Sequence, residues 1–208
     1  LDYSFVIPVY NRPQEIQELL ESFSKVEFMR DYEIVIVEDG STETYTVVAA
    51  SVIFPFTVAG KNYELVRVRM FWPDAAAFAV ARGGHLAEIN SGEEQGGIVT
   101  ALEDSNVSAN ILSGPSEVWL GGSDINQDVI WICDGDNDGV GEQFWMGGPN
   151  GMNVNDSFTN WGNIEPDGGD GQNALSILVA SSPLNEARQW NDRGEEFQTF
   201  FFIIEYEN

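Results

Sequence analysis

The sequence predicts an α+β fold preceded by a short βαβ unit, and three observations carry that expectation. Residues 1 to 43 alternate apolar strand, amphipathic helix and apolar strand. From about residue 58, two helices precede strands separated by long loops rich in Gly, Asn and Asp. The closing run FFIIEYE has the apolar, β-branched character of a last strand.

The elements follow in order. YSFVIPVY is short and mostly apolar, suiting a strand buried on both faces. Asn11 is placed to cap a helix and Pro13 sits where a first turn tolerates it. Ile16, Leu19, Leu20 and Phe23 then recur at helical spacing with acids between them. YEIVIVEDGS reads as a second strand, parallel to the first because a helix joins them. Residues 44–57 read as a connecting strand segment, being apolar and β-branched rather than Gly/Ser-rich. Residues 58–208 form the larger domain. There NYELVRV is a strand, and WPDAAAFAVARGG is a helix closed by a glycine pair. HLAEINSGEEQGGIVTALED gives a short strand, a Ser91 N-cap with acids in the first turn, and a second helix. EVWLGGSD is an apolar strand ending in glycines.

Composition narrows the function classes. Nine basic residues against thirty-four acidic ones give a formal net charge of -25 across 208 residues. Such a field repels nucleic acid and anionic membrane and attracts divalent cations. Solubility in a salty medium accounts for it equally well. Hydrophobic content of 43% with 12% aromatics is that of a folded protein. No apolar run reaches the length of a membrane span. The lone Cys133 excludes an internal disulfide and a thiolate zinc cluster, and reads as a small buried hydrophobe. His85 is the only histidine and reads as structural, which argues against a zinc triad or a histidine-based nucleophile.

FVIPVYNRP and IVIVEDGST, with a helix between, resemble the opening of family 2 glycosyltransferases. The resemblance implies nucleotide-binding roles for Pro8, Tyr10 and Asp39, with Glu38 where that family often has Asp. It stops after Thr42, so the acceptor site and catalytic base of that family have no counterpart here. Enzymatic sugar transfer by this chain alone is not expected. A unit this small needs a partner to be stable, either the rest of the chain or an additional protein docking on residues 1–43; the alternative is a fragment of a longer family 2 glycosyltransferase.

From about residue 56 the motifs DAAAFAVARGGHLAEINSGEEQ, VWLGGSD, FTNWGNIEPDGG, QWNDR and FIIEYE occur in the order found in C-type lectin-like domains. GEQFW and FIIEYE resemble the disulfide-free bacterial members best. The resemblance implies a C-type lectin-like fold with a long calcium-binding loop region, an extracellular or cell-surface location, and a glycan or other cell-surface ligand. In that family calcium is held by the Glu and Asn of EPN, a later acid, and the Asn and Asp of WND. The counterparts here are Glu165, Asp167, Asn191 and Asp192, with Pro166 cis if the family geometry holds. Carboxylates mixed with amides supply the six to eight hard oxygens Ca2+ prefers without excessive charge. Glu165, Asp167 and Asn191 would also hydrogen-bond the sugar.

Two departures matter. Asp167 stands where the mannose-type pattern has Asn, so the EPD hybrid names no sugar. Gln172 stands where the family has its later Glu, and Asp170 is close enough to substitute. An acidic loop that has lost its calcium is the competing reading, as is a lectin-like scaffold for protein–protein contact or surface display. Trp161 and Trp190 read as core anchors rather than sugar platforms.

CDGDNDGVGEQFW offers a second metal candidate. Asp134, Asp136 and Asp138 with Gly139 have the spacing that lets alternate side chains surround one ion. An EF-hand needs a bidentate acid at the twelfth position, which is Trp145 here, so Glu142 would have to serve in a shorter loop. A solvated turn is the alternative.

Overall fold

The computed structural model describes residues 3–9, 32–38, 53–105, 107, 117–181 and 185–207. They fall into two compact units, Leu1–Ser51 and Val52–Asn208.

In the first unit, β1 (Tyr3–Val9) and β2 (Tyr32–Glu38) pair in parallel, with Tyr3 opposite Tyr32 and Val9 opposite Glu38. Val6 is 63% exposed, so burial of β1 on both faces is not met there. The expected helix with Ile16, Leu19, Leu20 and Phe23 lies outside the described residues, as do Tyr10 and Asp39. Pro8 pairs with Val37 in β1, and Glu38 ends β2.

The second unit is built on one sheet. A hairpin of β3 (Ile53–Val58) and β4 (Lys61–Met70) opens it, turning at Ala59 and Gly60, both with positive φ. The described part of segment 44–57 therefore lies in the first strand of this sheet. The last strand, β12 (Phe200–Tyr206), returns antiparallel to β4 and parallel to β6 (Glu117–Ser123). Beyond β6 follow β7 (Ile130–Cys133), β8 (Gln143–Met146) and β9 (Met152–Asn153). The short β5 (His85–Leu86) pairs with β12. A branch from β6 carries β10 (Ala174–Leu178) and then β11 (Trp190–Arg193). This branch carries the candidate site.

The helices form where the local signals placed them. In α1 (Trp72–Ala81) Pro73 occupies the first turn, and the chain turns out at Gly83 with φ +85. In α2 (Gly92–Asp104) the Ser91 hydroxyl accepts the Glu94 N–H at 3.2 Å, and Glu93 and Glu94 face the positive end of the helix dipole. Alternate residues of the central strands point to opposite faces and divide the core between the helices. On one face Val66, Trp119, Phe202 and Ile204 pack with Trp72, Ala75, Ala76 and Ala79 of α1. On the other Leu65, Val118, Leu120 and Ile203 pack with Ile98 and Leu102 of α2. Gly121 has a structural reason to lack a side chain, because a Cβ there would lie 2.4 Å from the Leu86 carbonyl. Among the described residues no helix is long and apolar enough to cross a membrane.

Without disulfides, the loops are held by aromatic packing. Trp190 is 1% exposed and meets Phe144, Phe158 and Trp161 edge-to-face, with ring centroids at 6.0, 5.8 and 5.9 Å. Its indole N–H donates to Gln95 of α2 at 2.9 Å, and the Gln95 amide donates to the Arg188 carbonyl at 2.8 Å. Both tryptophans of the loop region therefore serve as core anchors.

Candidate functional site

Asn191 and Asp192 lie in β11, where pairing with β10 puts Asn191 opposite Ser176 and Asp192 opposite Leu175. The preceding loop reaches them through a cis Glu165–Pro166 bond. The Asp167 and Gly168 N–H groups donate to the two Asp192 carboxylate oxygens at 3.2 and 2.8 Å. The loop is thereby folded onto the strand, and one carboxylate oxygen from each of Glu165, Asp167 and Asp192 lies within 4.8 Å of the others.

Glu165 and Asp192 are buried, whereas Asp167 is exposed. Glu165 Oε1 accepts from the Asn185 amide at 2.5 Å, while its buried Oε2 finds no N–H or hydroxyl donor among the described residues and the Asp192 carboxyl lies against this group. Burial, with the nearby Asp167 and Asp192 charges, pushes the Glu165 carboxyl up to about 7. Burial also raises Asp192, against the backbone N–H groups that favour its charge. Asp124, at the end of β6, belongs to the same field. It is 4% exposed, its Oδ1 has no partner, and burial with the Asp128 and Asp192 charges lifts it to about 7.

Buried carboxylates with a vacant lone pair, gathered with no direct ion pair among the described residues, are costly unless a cation is supplied. The donors are hard oxygens with no histidine or thiolate, which fits calcium rather than zinc. Glu165, Asp167 and Asp192 would hold it.

The remaining predicted ligands are placed less uniformly. Asn191 is 2% exposed, and its amide nitrogen is turned to Glu117 at 3.4 Å. Gln172 packs over the Gly168 backbone, where a Cβ would meet its side chain at 2.3 Å. Asp170 lies in a short 3-10 turn, Gly169–Gly171, and its side chain is outside what the structure describes. In the second group, Asp134, Asp136 and Asp138 come together within 4.8 Å. Asp134 is already committed there, accepting the Gly139 N–H at 2.9 Å and the Ser123 hydroxyl at 3.1 Å. Glu142 is exposed and stands outside that group, with its carbonyl tied to the Cys133 N–H.

Four residues near the site were not singled out by sequence: Asn185, Glu117, Arg193 and Asp124. Arg193 stood beside the WND motif and Asp124 closed the GGSD run, so both had a local signal. Asn185 and Glu117 had none, because their roles depend on partners far along the chain. Of the other singled-out residues, Cys133 packs against the core beside Glu88, and burial pushes its thiol up to about 12. His85 lies in β5, its Nδ1 2.9 Å from the Leu86 carbonyl oxygen.

Among solved structures, the human scavenger receptor C-type lectin carbohydrate-recognition domain is 23% identical, with a TM-score of 0.52 over 74% of this chain and 96% of that one. Human lithostathine is 16% identical, with a TM-score of 0.54 over 80% and 99%. The cow CD23 C-type carbohydrate-recognition domain, solved in the presence of a GlcNAc2Man3 oligosaccharide, is 19% identical, with a TM-score of 0.50 over 76% and 95%. The larger unit therefore has the C-type lectin-like α+β fold that its motifs implied. The glycosyl transferase family 2 model matches residues 4–69, extending past Thr42 through β3 and most of β4. No curated protein matches the chain in sequence.

Proposed function

We propose that this chain is a calcium-dependent carbohydrate-binding module, a lectin or adhesin, of a bacterial extracellular or cell-surface protein. The observation that carries the reading is the convergence of Glu165, Asp167 and Asp192, with a buried oxygen of Glu165 that no N–H or hydroxyl donor among the described residues reaches. Calcium bound there supplies a Lewis-acidic centre at which two vicinal sugar hydroxyls can replace water. Glu165 and Asp167 accept hydrogen bonds from those hydroxyls, and Asn191 adds an amide oxygen. The exposed position of Asp167 suits contact with a ligand arriving from solvent. Asp192 fixes the loop by taking two of its N–H groups.

The role is binding rather than sugar transfer. Residues 1–43 are proposed as a glycosyltransferase-like docking unit, and no release of nucleoside diphosphate from a donor sugar is expected.

The test is a pair of measurements. Calcium should raise the melting temperature, and the protein should adhere to members of a glycan panel in a chelator-reversible way. Calcium binding without adherence to any glycan would favour the protein-binding scaffold.

Which residue completes the shell is separable by charge. Calcium affinity depends on the number of carboxylates in the shell, and Gln172 offers only a neutral amide. Gln172→Glu is expected to tighten calcium binding by about 1–2 kcal/mol, the scale of a charge-assisted contact. If Asp170 already completes the site, Gln172→Glu does little and Asp170→Asn costs affinity instead. Calorimetry on both variants decides between them.

A further inference from the structure

Behind Asn191 lies a charged group that the proposed calcium shell does not use. Glu117, at the start of β6, is 1% exposed. Arg193 Nε donates to its Oε1 and Oε2 at 3.0 and 2.9 Å, and Arg193 Nη2 donates to Oε1 at 2.6 Å. The Ser176 hydroxyl lies 2.7 Å from Glu117 Oε2 and 3.1 Å from the Asn191 carbonyl. The Asn191 amide nitrogen points at Glu117 Oε1 at 3.4 Å. A buried ion pair is a poor source of stability compared with apolar packing, so its use here calls for another account.

An ionised carboxylate only accepts hydrogen bonds, and an Asn amide has a donor end and an acceptor end. Glu117 facing Asn191 therefore selects one of the two amide orientations. The nitrogen goes to Glu117 and the oxygen is turned the other way. With the amide reversed, two oxygens would face each other in a buried site. Arg193 donates to both Glu117 oxygens and holds the carboxylate in place, and Arg193 also feels the Glu165 and Asp192 charges.

We propose that Glu117, clamped by Arg193, is a positioning residue that commits the Asn191 amide oxygen to cation ligation. The inference rests on the calcium reading of Glu165, Asp167 and Asp192. It also explains why asparagine, rather than a fourth acid, stands at 191. An aspartate there would set a second carboxylate against Glu117.

The experiment uses the full chain, with calcium alone as the probe. Glu117→Gln offers an amide that can donate as well as accept, so it releases the orientation of Asn191. It is expected to weaken calcium binding about tenfold, the usual scale for a residue that orients a metal ligand. Asn191→Asp should also weaken binding, although counting carboxylates alone predicts tightening. The double variant Glu117→Gln/Asn191→Asp should recover affinity, because the introduced amide can donate to the introduced carboxylate. In the unmodified protein, NMR should show slowly exchanging Asn191 side-chain amide protons before calcium is added. That last measurement does not depend on any variant folding. Unchanged affinity in Glu117→Gln, tightening in the Asn191→Asp single variant, or freely exchanging Asn191 amide protons would each overturn the proposal. If the unmodified protein binds no calcium, the underlying site fails instead, and the two failures are told apart.

Discussion

Replacing Trp190 by alanine is expected to cost the larger unit about 3–5 kcal/mol, the usual scale for deleting a buried aromatic. The ring is 1% exposed and fills the space among Phe144, Phe158 and Trp161. Its loss also leaves Gln95 Oε1 without the indole donor that it accepts. Two backbone hydrogen bonds beside the site are also made at this residue, and alanine retains their polar groups. The Trp190 N–H donates to the Asn160 carbonyl at 2.7 Å, and the Trp190 carbonyl accepts from Gly162 at 2.9 Å. A typical domain has only about 5–15 kcal/mol of net stability, so this loss is a large part of the whole. Calcium binding should fall with it, because Asn191 and Asp192 follow directly in the strand. All six tryptophans lie between residues 72 and 190, so fluorescence-monitored denaturation reports the larger unit alone. A loss below about 1 kcal/mol would show that the aromatic cluster is not what holds the disulfide-free loops.

Glu165→Gln should have effects of opposite sign on stability and on metal binding. The fold raises the Glu165 carboxyl from 4.5 to about 7, so the native state holds its proton more tightly than the unfolded chain does. Stability of the metal-free protein should therefore fall as pH rises from about 4.5 through 7, by on the order of 2–3 kcal/mol. Glutamine keeps an oxygen for the Asn185 amide and gives up the charge. The metal-free variant should melt higher than the parent at pH 7.5 and lose the Glu165 share of the pH dependence, while that of the raised Asp124 and Asp192 carboxyls remains. Its calcium affinity should drop by at least tenfold, because a charged ligand has become a neutral one. A variant less stable than its parent at pH 7.5, with a parent insensitive to pH between 5 and 8, would show that the buried charge is not strained. Such an exchange of stability for function is common where a site gathers like charges.

The features legible in the sequence were those with local causes. Ser91 capping α2, the glycine turn after α1, and the apolar run of β12 depend on neighbours a few residues away. The motif resemblance added the long-range arrangement that local patterns do not supply, including the cis Glu165–Pro166 bond and the meeting of the EPD loop with WND. What escaped was set by tertiary contacts alone. Glu117 lies 74 residues from Asn191, and nothing in EVWLGGSD marks its first residue as buried or ion-paired. Asn185 sits in a polar stretch that reads as an ordinary loop, although it holds Glu165. Glu142 read as a ligand by proximity in sequence, and the strand geometry leaves it outside the Asp134 turn. The β3 strand read as a connector because its run is apolar without alternation, and its pairing with β4 assigns it to the sheet.

A calcium site made by Glu165, Asp167, Asn191 and Asp192 should give, on calorimetric titration of the whole chain with calcium at pH 7.5, a saturable heat that chelator removes. Glu165→Gln and Asp192→Asn should each weaken that binding at least tenfold, and Asp136→Asn should leave it in place. No heat at millimolar calcium, or a heat that both site variants leave unchanged, would contradict such a site.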